Sequence, residues 1–373
     1  MKRTSDQHDA ILSSYLSWQA GLIGLITLGS AWRKILSFAL WTCIAIPGYF
    51  PSTDHLLAGV TKSLFSYYGS LYADDILPKE TLFPGEYFSI PELYNCTKET
   101  FAIASDGMRR PVLCKGLMSN TRAQELWSID YLGRNFPDIQ AMFTFQTSSK
   151  VHSRDQKAAN EIFLGDQIKE INESRAHRKS ITFEDRFAQN LTSDLKTHDI
   201  SFGLYEPSNI RAHTMIVQRA HVGSSSVVAN SSWHSQPDSV AVFQVKGTKR
   251  WTVIDPKYNL LMDGMYLGDD LPVLLHNMNP PPANWDRIPK YQVVAEPGDV
   301  LYCPSWWWHY VETLAVDTDQ DPEVLSLFTS HLFIGNLITR YLDTTLVSLG
   351  KSIDMMASST GYYFISGPLK GIF

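Results

Sequence analysis

The chain has 373 residues, of which 44% are hydrophobic and 19% charged, and its net charge is −6. That length holds one large domain or two ordinary ones, and the balance of apolar to charged residues excludes a disordered chain. The acidic balance, without a basic stripe, argues against nucleic acid as a partner.

Residues 1–10 form a polar tail. From Ile11 to Trp32 no residue is charged, Arg33 and Lys34 follow, and Ile35 to Phe50 is again uncharged. A bilayer core takes about 20 apolar residues in a helix, so the first run is long enough and the second is marginal. Two apolar runs around the charges do not fit a cleaved leader. Residues 11–50 therefore read as a helical, single-pass membrane anchor; the alternative is a pair of apolar helices packed on the soluble domain or on a partner. If Ile11–Trp32 spans, Arg33 and Lys34 put the large domain on the cytoplasmic side; if Ile35–Phe50 spans, they put it in the lumen. Glycosylation sequons at Asn95, Asn172, Asn190 and Asn230 tip the reading towards the lumen.

Residues 51–82 read as a connecting helix and loop. Of the four cysteines, Cys96 and Cys114 either pair in an oxidising compartment or stay as buried thiols; no CxxC spacing suggests a zinc site. Residues 83–335 read as one mixed domain. Its first part is helical in pattern, at Ala123–Trp127 and Asp130–Leu132, and Thr182–Phe187 reads as the opening of another helix, with Thr182 a candidate N-cap. The cluster Arg175, His177, Arg178, Lys179 is short and flanked by acids, which predicts a solvated loop. After Ile210 short β-rich runs appear: Ser239–Val245, Arg250–Ile254, Tyr291–Ala295, Val300–Cys303, Trp308–Leu314 and Val324–Ser330. Turn signals at Lys246-Gly-Thr, Asp255-Pro and Pro297-Gly-Asp separate them, and Asn277 to Lys290 reads as a long loop. The fold class is mostly β with helices (α+β), a double-sheet jelly-roll barrel spanning about 210–333. Apolar residues at 334, 337, 338, 341, 342, 346, 349 and 353 form one helix stripe. Residues 336–373 thus read as an amphipathic helix and tail that would pack on the barrel, on a second copy in a homodimer or complex, or on the membrane.

The strongest local pattern runs from Glu296 to Glu312, EPGDVLYCPSWWWHYVE. A turn at Pro297-Gly298 feeds a strand, Pro304-Ser305 reverses it, and His309 starts the next, on the face of Trp307. Upstream stand Trp233-His234-Ser-Gln236-Pro237 and Phe243-Gln-Val-Lys-Gly-Thr-Lys249-Arg-Trp251. These blocks resemble the JmjC and related cupin-like hydroxylases. That family carries His-x-Asp, then a Gly-x-Lys turn, then Pro-Gly-Asp followed by Pro-x-x-Trp-Trp-His. His234, Pro237, Gly247, Lys249 and Trp251 fall into the first part, and Gly298, Asp299, Pro304, Trp307, Trp308 and His309 into the second. Arg110–Gly116 and Trp127–Leu132 look like the family's opening segment, so the resemblance covers roughly 83–335.

The resemblance implies a cupin barrel binding Fe(II) and 2-oxoglutarate. Two imidazoles and a carboxylate hold Fe(II) on one octahedral face, leaving positions for 2-oxoglutarate and O₂. His234 and His309 would supply the imidazoles. Lys249 would neutralise the far carboxylate of 2-oxoglutarate, and Ser231, read as lying on the strand of His234, is a candidate to share it. Gln236 stands where the family has Asp or Glu; its carbonyl can ligate but brings no charge, and Asp238 is a substitute ligand. The reading is a membrane-anchored Fe(II)/2-oxoglutarate dioxygenase that hydroxylates a protein side chain or a small molecule. Its competitor is a catalytically inactive cupin-fold subunit at a membrane. With no reader module and no basic stretch, a histone demethylase is disfavoured, and Asn230 lies too near the site to carry a glycan.

Overall fold

The computed structural model describes Ala73, Leu77, Pro78 and residues 86–331, except 142, 149–150, 156–161, 175–177, 196–209, 220–226, 237–238, 263–264, 268–272, 277–280, 283 and 315–322. The expected anchor at 11–50, most of the connector at 51–82 and the C-terminal helix lie outside the described residues. Among the described residues no helix is long and apolar enough to cross a membrane.

Along the chain come β1 (Phe88–Ser89), β2 (Glu92–Leu93), α1 (Lys98–Ala104), β3 (Val112–Cys114), α2 (Arg122–Leu126) and α3 (Ile129–Asn135). Next are β4 (Phe143–Ser148), β5 (Val151–Asp155), α4 (Leu164–Ser174), β6 (Arg178–Glu184), α5 (Asp185–Ser193) and β7 (Ile210–Arg219). The site-bearing strands follow: β8 (Val227–Asn230), β9 (Trp233–Ser235), β10 (Ser239–Lys246) and β11 (Lys249–Ile254). The last are β12 (Met265–Leu267), β13 (Val273–His276), β14 (Tyr291–Ala295), β15 (Val300–Cys303), β16 (Trp308–Leu314) and β17 (Glu323–His331). The chain divides into two compact units, and Glu80–Asp255 with Asp286–Phe333 make up the one that holds the candidate residues. Pro256–Trp285 falls in the other; by itself its described part is a 3-10 helix, Pro256–Leu261, and the antiparallel hairpin β12–β13.

The site-bearing unit is two sheets. One runs β1-β14-β11-β16, with β8 and β9 both pairing along β16. The other runs β2-β3-β15-β10-β17-β7-β6-β4-β5. Alternation along the second sheet divides its side chains between two cores. Val240 and Val242 of β10, with Leu301 and Cys303 of β15, join Trp251, Val293 and Val311 of the first sheet in the barrel interior. Ala241, Phe243 and Val245, with Val300 and Tyr302, face outwards onto a helical layer that includes Trp127, Leu132, Ile168 and Leu191. β10 is thus apolar on both faces because both faces are covered.

Helix starts are set locally. Thr97, Thr121 and Ser128 accept from the backbone N–H of Thr100, Gln124 and Tyr131, as good N-caps do. The turn between β10 and β11 needs Gly247, at φ 71°, where a Cβ would lie 2.7 Å from the Val324 side chain.

Three expectations change. The β structure begins well before Ile210, since β3 and β4–β6 complete the second sheet, so the barrel is not confined to 210–333. Thr182 is not an N-cap: it sits inside β6 opposite Thr214, the two hydroxyls hydrogen-bonded at 3.0 Å, and α5 starts at Asp185. Arg178 and Lys179 are not in a solvated loop. They open β6, and Lys179 is buried against α4 on Gln167 and Glu170.

Candidate functional site

The two histidine strands are held together by the turn at 304–306. Trp306 adopts φ 64°, a left-handed conformation that costs a bulky L-residue about 1–2 kcal/mol. Its N–H donates to the Gln236 carbonyl at 2.7 Å, and its own carbonyl accepts from Ser235 Oγ at 2.9 Å. Ser305 N–H donates to Ser239 Oγ at 3.2 Å. The chain leaving His234 is therefore stapled to the chain entering His309. The two residues are directly opposed across the β9–β16 pair, with ring centroids 4.0 Å apart and planes at 60°.

Both rings are fixed in one tautomer. Nδ1 of His234 lies 2.8 Å from the Ser232 carbonyl, and Nδ1 of His309 lies 3.0 Å from the Trp307 carbonyl. A carbonyl only accepts, so each Nδ1 carries the proton and each Nε2 keeps its lone pair. Burial pushes the His234 pKa down to about 4, and the charge of Arg178 lowers it further against the bond to Ser232. Burial and then the neighbouring His234 hold His309 well below the usual histidine range. Neutral imidazoles with free Nε2 lone pairs are the form that ligates a divalent metal.

Lys249 lies deeper. It opens β11, four residues before Val253, the residue opposite His309. It is fully buried, and among the described residues its Nζ has no hydrogen-bond partner. The amine sits 5.4 Å from the centroid of the Phe328 ring, and burial, then the charge of Arg178, hold its pKa well below the ordinary lysine value. Trp251 ends this wall, its ring 5.6 Å from that of His309 and 5.8 Å from that of Phe328. An orphaned buried amine is a costly feature that a bound carboxylate would relieve.

The remaining candidates are placed less simply. Ser231 is not on the strand of His234; it lies in the break between β8 and β9. Its Oγ accepts from Val311 N–H at 2.9 Å, and its own N–H donates to the Val311 carbonyl at 2.8 Å, so it anchors β16. Gln236 follows β9 half-buried, on the parity of His234, with its backbone tied to Trp306. Asp238 lies outside the described residues. Among the described residues no cluster of three His, Cys, Asp or Glu side chains could hold a metal ion. The two imidazoles suit such an ion, and the third, charged ligand of the family pattern is missing from the described set. Arg178, whose field reaches both His234 and Lys249, was expected only as part of a solvated loop; the two-residue alternation of polar Arg178, Ser180 and Thr182 with Lys179, Ile181 and Phe183 along β6 was its signal.

The cupin-like domain family matches residues 103–327, more than half of the chain. The chain belongs to that family. Among its relatives, HSPB1-associated protein 1 of Rattus norvegicus is 31% identical over 112 residues, 28% of this chain and 23% of the relative. Arginine-specific demethylase JMJ22 of Arabidopsis thaliana is 22% identical over 242 residues, 61% of this chain and 44% of the relative. Lysine-specific demethylase JMJ21 of the same plant is 22% identical over 226 residues, 55% of this chain and 22% of the relative. The chain thus spans less than half the length of these curated relatives. The match supports a JmjC/cupin-like family and an oxygenase-like fold, and the JmjC relatives imply Fe(II) and 2-oxoglutarate dependence as a general family trait.

Proposed function

We propose that this cupin-like domain is a 2-oxoglutarate-dependent oxygenase of the hydroxylase type, with a metal site weakened at Gln236. The observation that carries the reading is the amine of Lys249, without a hydrogen-bond partner among the described residues and buried on the sheet that carries the histidines. In this reading His234 and His309 hold Fe(II) through Nε2, with Gln236 or Asp238 as the third ligand, and Lys249 pairs with the far carboxylate of 2-oxoglutarate. Bound iron would supply the redox chemistry with O₂. The protein's own residues orient the two reactants and keep the imidazoles neutral. Arg178 adds positive charge that favours an anion and opposes a bare dication. The substrate is a protein side chain or a small molecule. Residues 11–50 anchor the chain in a membrane, and the C-terminal apolar stripe binds a second copy or a partner.

The inactive-subunit reading has its own support, because an amide stands where the charged ligand belongs. Replacement Gln236→Asp separates the two. It adds one negative charge beside two neutral imidazoles, so iron should bind about tenfold tighter or more. Iron titration and 2-oxoglutarate turnover are measured on wild type and variant, with His309→Ala as the blank. Iron-dependent turnover in the wild type supports the oxygenase; turnover only in the variant means an inactive subunit. Iron binding no better than the blank in both proteins rejects the metal site.

A further inference from the structure

We propose that this domain matures in an oxidising secretory lumen, where Cys96 and Cys114 become a disulfide and Asn95, Asn172 and Asn190 carry N-linked glycans. Two independent features converge on this. The first is the bond itself. Cys96 is joined to Cys114 with Cα atoms 5.5 Å apart, inside the range a disulfide needs, and the link ties the segment ahead of α1 to β3. Cys114 is fully buried and Cys96 is partly buried against the same outer core, which shields the link from exchange. Such bonds persist in secretory compartments and are rare in the reducing cytosol and nucleus.

The second feature is where the sequons fall. Asn95, Asn172 and Asn190 are all exposed. Asn172 is on α4 and Asn190 on α5, whose buried residues Ile168, Ile171, Ala188 and Leu191 pack into the outer core. Asn95 sits beside Cys96, which packs on that core too. Asn172 and Asn190 belong to the helical layer on the outer face of the second sheet, and Asn95 to the bend between β2 and α1, whereas His234 and His309 are on the first sheet. Glycans there would leave the histidines clear. The fourth sequon begins at Asn230 on β8, paired with Glu312 of the His309 strand, and no glycan is assigned to it. Asn172 Nδ2 donates to Asp130 Oδ1 at 3.3 Å, and a glycosylated amide retains one N–H for that bond.

The order of events follows from burial. Leu191 and Thr192, the rest of the Asn190 sequon, are buried in the folded domain, so the sequon is legible only on an unfolded chain. Modification during translocation meets that condition. In the transfer, the amide nitrogen forms a bond to the first sugar carbon of a lipid-diphosphate oligosaccharide. The sugar–phosphate bond breaks, and the amide proton leaves with the lipid diphosphate. In the oxidation, the two thiols give up two protons and two electrons to a partner disulfide, which is reduced to two thiols.

The proposal is independent of the oxygenase reading. The test expresses the 373-residue chain in eukaryotic cells and measures its mass before and after peptide-N-glycosidase treatment. Three glycans are expected, one lost with each of Asn95→Gln, Asn172→Gln and Asn190→Gln. Ser174→Ala should remove the Asn172 glycan while leaving that asparagine in place. Cys96 and Cys114 should resist alkylation until the protein is reduced. A glycosidase-insensitive mass, or a glycan at Asn230 alone, overturns the glycan assignment. Alkylation of both thiols without reductant overturns the lumenal one.

Discussion

Lys179 and Lys249 are lysines of one domain, each at the start of a strand and each almost completely buried, yet they are treated in opposite ways. Lys179 meets Glu170 and the side-chain oxygen of Gln167, the latter at 2.9 Å. Lys115 is handled similarly: burial works against its charge, but hydrogen bonds to Asp299 at 2.8 Å and Glu296 at 2.7 Å override that and hold the amine above its usual range. Among the described residues Lys249 has no hydrogen-bond partner, and the charge that acts on it is a second cation, Arg178. A buried charge left alone costs far more than one supplied with its counter-ion. A structural lysine arrives with its anion; a lysine kept without one marks where an external anion is expected.

Methionine in place of each lysine gives the largest expected contrast. Lys179→Met leaves the buried Gln167 oxygen without its donor, and stability should fall by about 1–3 kcal/mol. Lys249→Met removes an unsatisfied amine while preserving the stem, so stability should rise, by about 1–2 kcal/mol. The same change should weaken 2-oxoglutarate binding by about 1.5–3 kcal/mol, the range for a hydrogen bond to a charged group. Denaturant midpoints and titration calorimetry read the two effects separately. A destabilised Lys249→Met would show that the amine serves the fold, and the comparison would collapse.

A smaller effect is expected in pH dependence. The amine of Lys249 is held below its ordinary pKa by burial and then by Arg178, so the folded protein binds its proton less tightly than the unfolded chain. Apo stability should therefore rise with pH as the unfolded lysine loses its advantage. A carboxylate beside the amine reverses the preference. Binding 2-oxoglutarate should take up a proton, and affinity should fall as pH rises, by at most about tenfold per unit. The histidines act in another window. His234, lowered to about 4, contributes stability that is complete above the unfolded histidine value and is lost as pH falls from there towards 4. Calorimetry in two buffers of different ionisation enthalpy would detect the proton uptake, and its absence would place the bound anion away from Lys249.

The barrel and its two ends of chemistry were legible because their signals are local. The strand at Trp308–Leu314 falls on the sequence boundaries, and the turn at Gly298, with φ 96°, stands where Pro297-Gly298 put it. The upstream half was not legible, because Arg178–Glu184 mixes charge with alternation: Lys179 and Arg178 read as surface residues until α4 and the barrel interior are seen on either side. Thr182 failed for a related reason. A threonine ahead of Glu184 and Asp185 has the look of a cap, and only its pairing with Thr214 makes it a strand residue. Nor can Ser231 be located by counting three residues back from His234, because the chain breaks its strand at Ser231–Ser232 and spends the serine on Val311.

The smallest effect probes what keeps the unpaired region in shape. Ser235 points away from His234 by strand alternation and is fully buried, and its hydroxyl donates to the Trp306 carbonyl. Trp306 is held left-handed, and its N–H is already committed to Gln236. Removing the hydroxyl leaves one buried carbonyl without that donor and loosens one of the ties across the turn. Ser235→Ala should therefore cost about 1 kcal/mol of stability, the net worth of a hydrogen bond. Because the lost bond sits between the histidine strands, the same change should also weaken iron or manganese binding severalfold while leaving 2-oxoglutarate affinity without metal unchanged, since Lys249 is on β11. Ser235→Thr, which keeps the donor, should restore part of both if the added methyl is accommodated. Equal loss of metal and anion binding in Ser235→Ala would mean that the turn supports the whole barrel end rather than the spacing of His234 and His309, and the division between a braced histidine pair and an unbraced lysine would have to be redrawn.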